Sequence, residues 1–117
     1  MVTAMRIQSF PLVFLMLIGS VAAAAGEPVY LDVRTKAEWD EKHIEKSNLL
    51  DFNGANFREQ ISKLDKNFSY KIFCRSGNRA SKAIDVMKEM GFKDVKNIGS
   101  VEDAIKISGQ SCKGSKC

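Results

Sequence analysis

The chain has 117 residues, of which 44% are hydrophobic and 27% are charged. This composition is typical of one small globular domain and excludes a disordered chain or a second domain. The net charge of +4 is spread along the chain as single residues without a basic block, so nucleic acid is not predicted as a partner.

The N-terminal segment 1–25 has the order of a secretory signal peptide. One positive charge, Arg6, precedes a nearly uncharged stretch at 7–21, and small residues follow up to Ala25. The uninterrupted apolar run 10–18 is shorter than the roughly 20 residues that a membrane-spanning helix needs. We therefore expect cleavage after Ala25, a periplasmic or secreted protein, and no stable membrane anchor after cleavage. The alternative is an uncleaved anchor.

After this segment, short apolar runs alternate with helical patterns. Strands are predicted at 29–33, 49–52, 70–74 and 95–98. Four helices are predicted, beginning after Thr35, after Asn56, at Arg79 and after Ser100. Thr35 forms a capping box with Glu38, and the helix that begins at Arg79 is predicted to end at Gly91. The alternation predicts an α/β fold in which a parallel sheet of four to five strands carries helices on both faces. The domain is expected to cover 26–107, and the polar segment 108–117 is predicted to be a flexible cysteine-containing tail.

Cys74 is the last residue of the most clearly defined strand. In parallel sheets, ligands bind beyond the carboxyl ends of the strands, which is where Cys74 is expected to lie. The loop that follows it consists of Arg75, Ser76, Gly77, Asn78 and Arg79. Its backbone N–H groups can form an anion-binding nest, and the next helix adds the positive end of its dipole. Two guanidinium groups add positive charge. These features favour a thiolate, so Cys74 is predicted to be a nucleophile rather than a buried structural cysteine.

Three parts of the chain resemble the rhodanese-like sulfurtransferases. They are residues 31–34 together with 38–44, residues 73–80 and residues 87–99. The resemblance is strongest to the small exported single-domain members of the bacterial phage-shock system. It implies that Cys74 takes sulfane sulfur from a small anionic donor, thiosulfate or a persulfide, and passes it to a thiophilic acceptor such as cyanide or a thiol. It also implies that residues 75–79 bind the donor anion and the persulfide. No cofactor is expected.

Two other functions compete with this one. The first is a non-catalytic persulfide carrier or sulfur-binding module that serves a protein partner. The second is phosphate or arsenate chemistry on a similar cysteine loop, but such loops have five residues between cysteine and arginine. Cys74 and Arg79 are one residue closer than that.

Three charged or titratable residues outside the loop are further candidates for a role at the site. Asp32 and Arg34 are predicted to form a structural ion pair, with substrate contact as the alternative. His43, the only histidine, is predicted to be structural because the mechanism needs no base once the thiolate has formed.

Cys112 and Cys117 lie in the polar tail and are predicted to form a local disulfide in an oxidising compartment. The alternative is that one of them reaches Cys74 and resolves its persulfide. No metal site is predicted, because the cysteines and His43 lack paired ligand spacing.

Overall fold

The computed structural model describes residues 26–117, and the predicted signal peptide at 1–25 lies outside the described residues. The strands of the main sheet are β1 (Val29–Asp32), β3 (Asn48–Leu49), β4 (Ser69–Cys74) and β5 (Asp94–Ser100). The other elements are α1 (Lys36–Glu41), β2 (His43–Ile44), α2 (Phe57–Ser62), α3 (Asn78–Glu89), α4 (Val101–Ser108) and β6 (Cys112–Lys113). No helix within 26–117 is long and apolar enough to cross a membrane.

The main sheet has four strands in the order β3-β1-β4-β5, and all neighbouring strands are parallel. Because side chains alternate across a strand, successive residues of β1 and β4 enter two separate cores. Leu31 and Ile72 pack in one core with residues of α2 and α3, whereas Tyr30 and Phe73 pack in the other with residues of α4. The predicted α/β architecture with helices on both faces is confirmed.

The helix ends follow the local sequence signals in most cases. Thr35 and Ser100 open α1 and α4 with complete capping boxes, and Gly91 adopts the left-handed conformation just after α3, with φ of 97°. Asn56 stands before α2, but its side chain makes no capping bond. The prediction of a side-chain cap there is wrong, because the backbone at Asn56 (φ −107°, ψ 18°) is not in the extended conformation that directs a cap side chain towards the helix.

The predicted second strand is also shorter than expected. The strand β3 ends at Leu49, although Leu50 and Phe52 still donate backbone hydrogen bonds to Asp32 and Val33 at 2.9 and 3.2 Å. The Asp51 carboxylate accepts the N–H of Asn53 at 2.9 Å, which turns the chain out of the extended conformation.

The segment 108–117 is folded onto the domain rather than extending from it as a loose tail. Its strand β6 pairs antiparallel with β2, which the sequence analysis missed. Beyond β6, the N–H groups of Ser115 and Lys116 donate to the carbonyl groups of Asp40 and Glu41 at 3.1 and 2.8 Å. These carbonyls lie at the end of α1, where helix carbonyls lack partners within the helix. The C-terminal segment therefore caps α1.

Candidate active site

Cys74 is fully buried at the carboxyl end of β4, directly before the loop 75–79. Gly77 occupies the N-cap position of α3 with φ of 94°, a left-handed conformation that glycine adopts without a steric penalty. The positive φ turns the chain from the strand into the helix within a few residues. The loop and the first turn of α3 therefore lie against the sulfur.

The loop brings backbone N–H groups to the sulfur, although Cys74 also belongs to the apolar core that includes residues of α2 and α3. The Gly77 N–H donates to Cys74 Sγ at 2.9 Å. Burial raises the pKa of the Cys74 thiol, but the backbone N–H groups of Ala80, Ser76, Gly77 and Arg79 together lower it by more. The net pKa lies below the ordinary value of a cysteine, so the site favours the thiolate.

The Arg79 guanidinium is held by Glu38 of α1. Its Nη1 and Nη2 donate to Glu38 Oε1 and Oε2 at 2.8 and 3.0 Å. This bond to Arg79 is the main reason that the pKa of Glu38 falls to about 2. Glu38 in turn raises the pKa of Arg79, and the nearby charges of Cys74 and Asp51 raise it further. The ion pair with Glu38 thus compensates part of the positive charge that Arg79 is predicted to add at the loop.

Arg75 differs from Arg79 in this respect. Its side chain is exposed at the start of the loop, and within residues 26–117 it makes no ion pair. Ser76 and Asn78 are also exposed. The loop thus presents one uncompensated guanidinium and two small polar side chains to solvent.

The buried pair of Asp32 and Arg34 fixes the helix that carries Glu38. Arg34 Nε and Nη2 donate to Asp32 Oδ1 and Oδ2 at 2.8 and 2.6 Å. Arg34 also donates to the carbonyl groups of Lys42 and Glu38, at 2.6 and 3.4 Å. The predicted structural ion pair is present, and it joins β1 to the C-terminal part of α1.

The His43 ring stacks on Trp39, with the ring centroids 3.9 Å apart and the planes inclined by 10°. Its Nδ1 lies 2.7 Å from the Trp39 carbonyl oxygen. These contacts give His43 a structural role at the end of α1.

Asn97 of β5 is a site residue that the sequence analysis did not single out. Its Nδ2 donates to the Gly77 carbonyl at 2.9 Å, and its Oδ1 accepts the Gly99 N–H at 2.9 Å. The available signal was Gly99, because a glycine inside a strand pattern often marks a bulge.

Cys112 and Cys117 are joined by a disulfide with a Cα–Cα distance of 5.7 Å, and Cys74 is a free thiol. The disulfide lies in the segment that pairs with β2 and caps α1. Among residues 26–117, no three or more His, Cys, Asp or Glu side chains are grouped so that they could hold a metal ion.

The rhodanese-like domain matches residues 20–103. The chain belongs to the rhodanese-like domain family. Its loop at Cys74 and its parallel sheet are therefore parts of a known kind of domain, whereas the disulfide segment lies beyond the matched residues.

Two curated relatives of this rhodanese-like chain carry sulfurtransferase names. The thiosulfate sulfurtransferase PspE of Escherichia coli is 27% identical over 92 residues, which cover 79% of this chain and 88% of PspE. The probable adenylyltransferase/sulfurtransferase MoeZ of Mycobacterium tuberculosis is 33% identical over 64 residues, which cover 55% of this chain and 16% of MoeZ.

Solved structures share the fold at lower sequence identity. A rhodanese with anions from E. coli superposes with a TM-score of 0.62 at 22% identity, covering 75% of this chain and 99% of that one. The Alr3790 protein of Anabaena superposes with a TM-score of 0.65 at 19% identity, and the match covers 80% of this chain and 83% of that one.

Proposed function

We propose that the protein is a thiosulfate sulfurtransferase in which Cys74 carries the transferred sulfur as a persulfide. The observation that carries this proposal is the hydrogen bond from the Gly77 N–H to the buried Cys74 Sγ at 2.9 Å. The backbone N–H groups of Ser76, Arg79 and Ala80 act with it to lower the pKa of Cys74 despite its burial. A structural cysteine in an apolar core has no need of such donors. Membership of the rhodanese-like family and the similarity to PspE support the same reaction.

In the first half of the reaction, the Cys74 thiolate attacks the outer sulfur of thiosulfate. A new S–S bond forms on Cys74 while the S–S bond of thiosulfate breaks, and sulfite leaves with the bonding electron pair. The product on the enzyme is a persulfide anion. The N–H groups that stabilise the thiolate are suited to stabilise this anion, because they are fixed dipoles directed at the sulfur.

In the second half, the acceptor attacks the outer sulfur of the persulfide. With cyanide, a C–S bond forms, the persulfide S–S bond breaks, and Cys74 returns as a thiolate while thiocyanate is released. With a thiol acceptor, the product is a persulfide on that thiol. Both halves begin and end with negative charge on sulfur, which the loop is built to stabilise.

The exposed face of the loop supplies the binding site for the donor in this proposal. Arg75 offers a guanidinium that no acidic group compensates within residues 26–117, and thiosulfate is a compact dianion. Ser76 and Asn78 add small polar side chains beside it. Arg79 contributes through its backbone N–H, since its guanidinium is held by Glu38.

We further propose that residues 1–25 are a signal peptide cleaved after Ala25 and that the protein acts in the periplasm or outside the cell. The charge of Arg6, the apolar stretch and the small residues up to Ala25 support this. The mass of the N-terminal peptide from exported protein tests it, and a peptide that retains Met1 would contradict it.

The enzymatic test compares wild type with Cys74→Ser in an assay that follows thiocyanate formation from thiosulfate and cyanide. We expect turnover by wild type and none above background by the variant. Equal rates for the two proteins would overturn the proposal. Added sulfur on wild type after treatment with thiosulfate, with negligible thiocyanate, would instead indicate a persulfide carrier.

A further inference from the structure

We infer that Asn97 is a positioning residue, which holds the Gly77 peptide so that the loop N–H groups stay directed at Cys74 Sγ. The inference rests on the proposed role of Cys74 and adds a residue outside the loop to that site.

The contacts of Gly77 are divided between the sulfur and Asn97. On its N-terminal side, the Gly77 N–H donates to Cys74 Sγ at 2.9 Å. On its C-terminal side, the Gly77 carbonyl accepts two hydrogen bonds, from Ser81 N at 3.0 Å and from Asn97 Nδ2 at 2.9 Å. One of these bonds belongs to α3 and the other comes from β5. Asn97 therefore ties the start of the helix to the sheet.

A bulge in β5 directs Asn97 towards the loop. Asn97 is opposite Ile72 of β4, but Gly99 is opposite Phe73, so Ile98 is an extra residue in β5. Bulges of this kind change the direction of a side chain at the edge of a site. The Gly99 N–H then donates to Asn97 Oδ1 at 2.9 Å, which leaves Nδ2 directed at the Gly77 carbonyl.

The conformation of Gly77 explains why an external contact is needed. Glycine loses more conformational freedom on folding than any other residue, and here it must hold a left-handed φ of 94°. The N–H groups of Arg79 and Ala80, which lower the pKa of Cys74, follow the same peptide in the first turn of α3. If the Gly77 carbonyl were free to move, these donors would lose their alignment with the sulfur.

Packing alone does not account for Asn97. The residue is exposed and belongs to neither apolar core. Arg79 interacts electrostatically with the sulfur and in turn with Glu38 and Asp51, and Arg75 directly follows Cys74 in the loop. A change at Asn97 leaves these four charged groups in place, so its effect on the sulfur can be measured separately from theirs.

The test uses Asn97→Asp and Asn97→Ser, with Lys96→Ala as the control on the same strand. Aspartate has the size of asparagine and keeps an oxygen that can accept the Gly99 N–H, but it has no N–H group to donate to the Gly77 carbonyl. Serine is too short to reach the Gly77 carbonyl and adds no charge. The rate at which iodoacetamide alkylates Cys74 is measured against pH, with Cys112 and Cys117 kept in their disulfide. Melting temperatures show that each variant is folded.

We expect the alkylation midpoint to rise by about half to one pH unit in both Asn97 variants and to stay unchanged in Lys96→Ala. Below the midpoint, such a rise corresponds to a loss of rate of about three- to tenfold. Wild-type midpoints in folded Asn97→Asp and Asn97→Ser would overturn the inference. A rise in Asn97→Asp alone would overturn it too, because the added charge would then explain the effect.

This experiment separates the inference from the proposed function. If wild type itself is alkylated with the midpoint of an ordinary thiol, near pH 8.5, the proposed function fails. A low midpoint in wild type that both variants retain contradicts only the role of Asn97.

Discussion

At the Cys74 sulfur, backbone dipoles outweigh burial. Burial alone would raise the pKa of the thiol, and the N–H groups of the loop and of the first turn of α3 reverse the shift. Donors of this kind belong to the backbone, so substitution of a loop side chain removes few of them. Reactivity of the thiolate and binding of the donor anion can therefore be changed by different residues.

Arg75→Ala tests this separation. We expect KM for thiosulfate to rise by about three- to tenfold, because one exposed charged contact to the donor is lost. The pH midpoint for alkylation of Cys74 should stay the same. Steady-state kinetics and alkylation rates measure the two effects, and an unchanged KM would show that Arg75 does not contact the donor.

Gly77→Ala tests the left-handed turn in the loop. An L side chain at φ of 94° is strained, so we expect the free energy of unfolding to fall by about 1 to 2 kcal/mol. Alkylation of Cys74 at neutral pH should also slow, because the loop relaxes away from the sulfur.

Gly109→Ala is the matched control for this variant. Gly109 has φ of 68° and ends α4, and a Cβ there would meet nothing within 4 Å. We expect a similar loss of stability without a change in alkylation. If Gly77→Ala and Gly109→Ala behaved alike in both measurements, the turn at Gly77 would have no special relation to the sulfur.

Among the elements, α1 links the site to other parts of the chain. Its Glu38 holds the Arg79 side chain, and its C-terminal carbonyls are bonded by Arg34 and by the segment after β6. The position of Arg79 therefore depends on two parts of the chain that lie far from it in sequence.

Glu38→Gln should lower the free energy of unfolding at neutral pH by about 1 to 2 kcal/mol, with allowance for partial exposure of the ion pair. The pKa of Glu38 is lowered from 4.5 to about 2, so its stabilisation is fully present above pH 4.5 and is lost as pH falls towards 2. The difference in the free energy of unfolding between wild type and Glu38→Gln should therefore shrink as the pH falls through this range. Denaturant unfolding at a series of pH values measures it.

Glu89→Gln, which breaks an exposed ion pair with Arg58, is the control for Glu38→Gln. Its effect at neutral pH should be smaller, because exposed pairs contribute little. A difference between wild type and Glu38→Gln that stayed constant from pH 7 to 2 would contradict the assigned ion pair.

The double variant Cys112→Ser/Cys117→Ser tests the C-terminal segment as a cap of α1. Without the disulfide, we expect about 1 to 2 kcal/mol less stability, since the loop it closes is short. Backbone amides at the end of α1 should exchange hydrogen faster than in wild type, whereas those of β4 should not. Unchanged exchange in α1 would show that the cap does not depend on the disulfide.

The sequence was informative where local signals decide structure. The alternation of strands and helices, the caps at Thr35 and Ser100 and the stop at Gly91 could all be predicted, because each depends on neighbouring residues. The pairing of β2 with β6 could not, since strands of two residues are too short to show a periodicity and the two lie far apart in sequence. The contacts of the site could not be predicted for the same reason. The loop at Cys74 was evident from neighbouring residues, but its contacts with Glu38 and Asn97 come from elements that lie far from it in sequence.

As a whole molecule, residues 26–117 combine a rhodanese-like domain with a disulfide-closed segment beyond the family match. The described cysteines thus fall into two chemical classes, a bonded pair at the surface and one buried free thiol. An oxidising compartment is compatible with both, provided that the sulfur chemistry is confined to Cys74.

A single-turnover experiment determines whether Cys74 takes one sulfur atom from thiosulfate. Folded wild type with its disulfide intact is mixed with thiosulfate in the absence of an acceptor, and the released sulfite and the mass of each cysteine peptide are measured. We expect one sulfite per protein and one added sulfur atom on the peptide that contains Cys74, with neither in Cys74→Ser. Sulfur added equally to Cys74→Ser, or found on the Cys112 and Cys117 peptides instead, would contradict it.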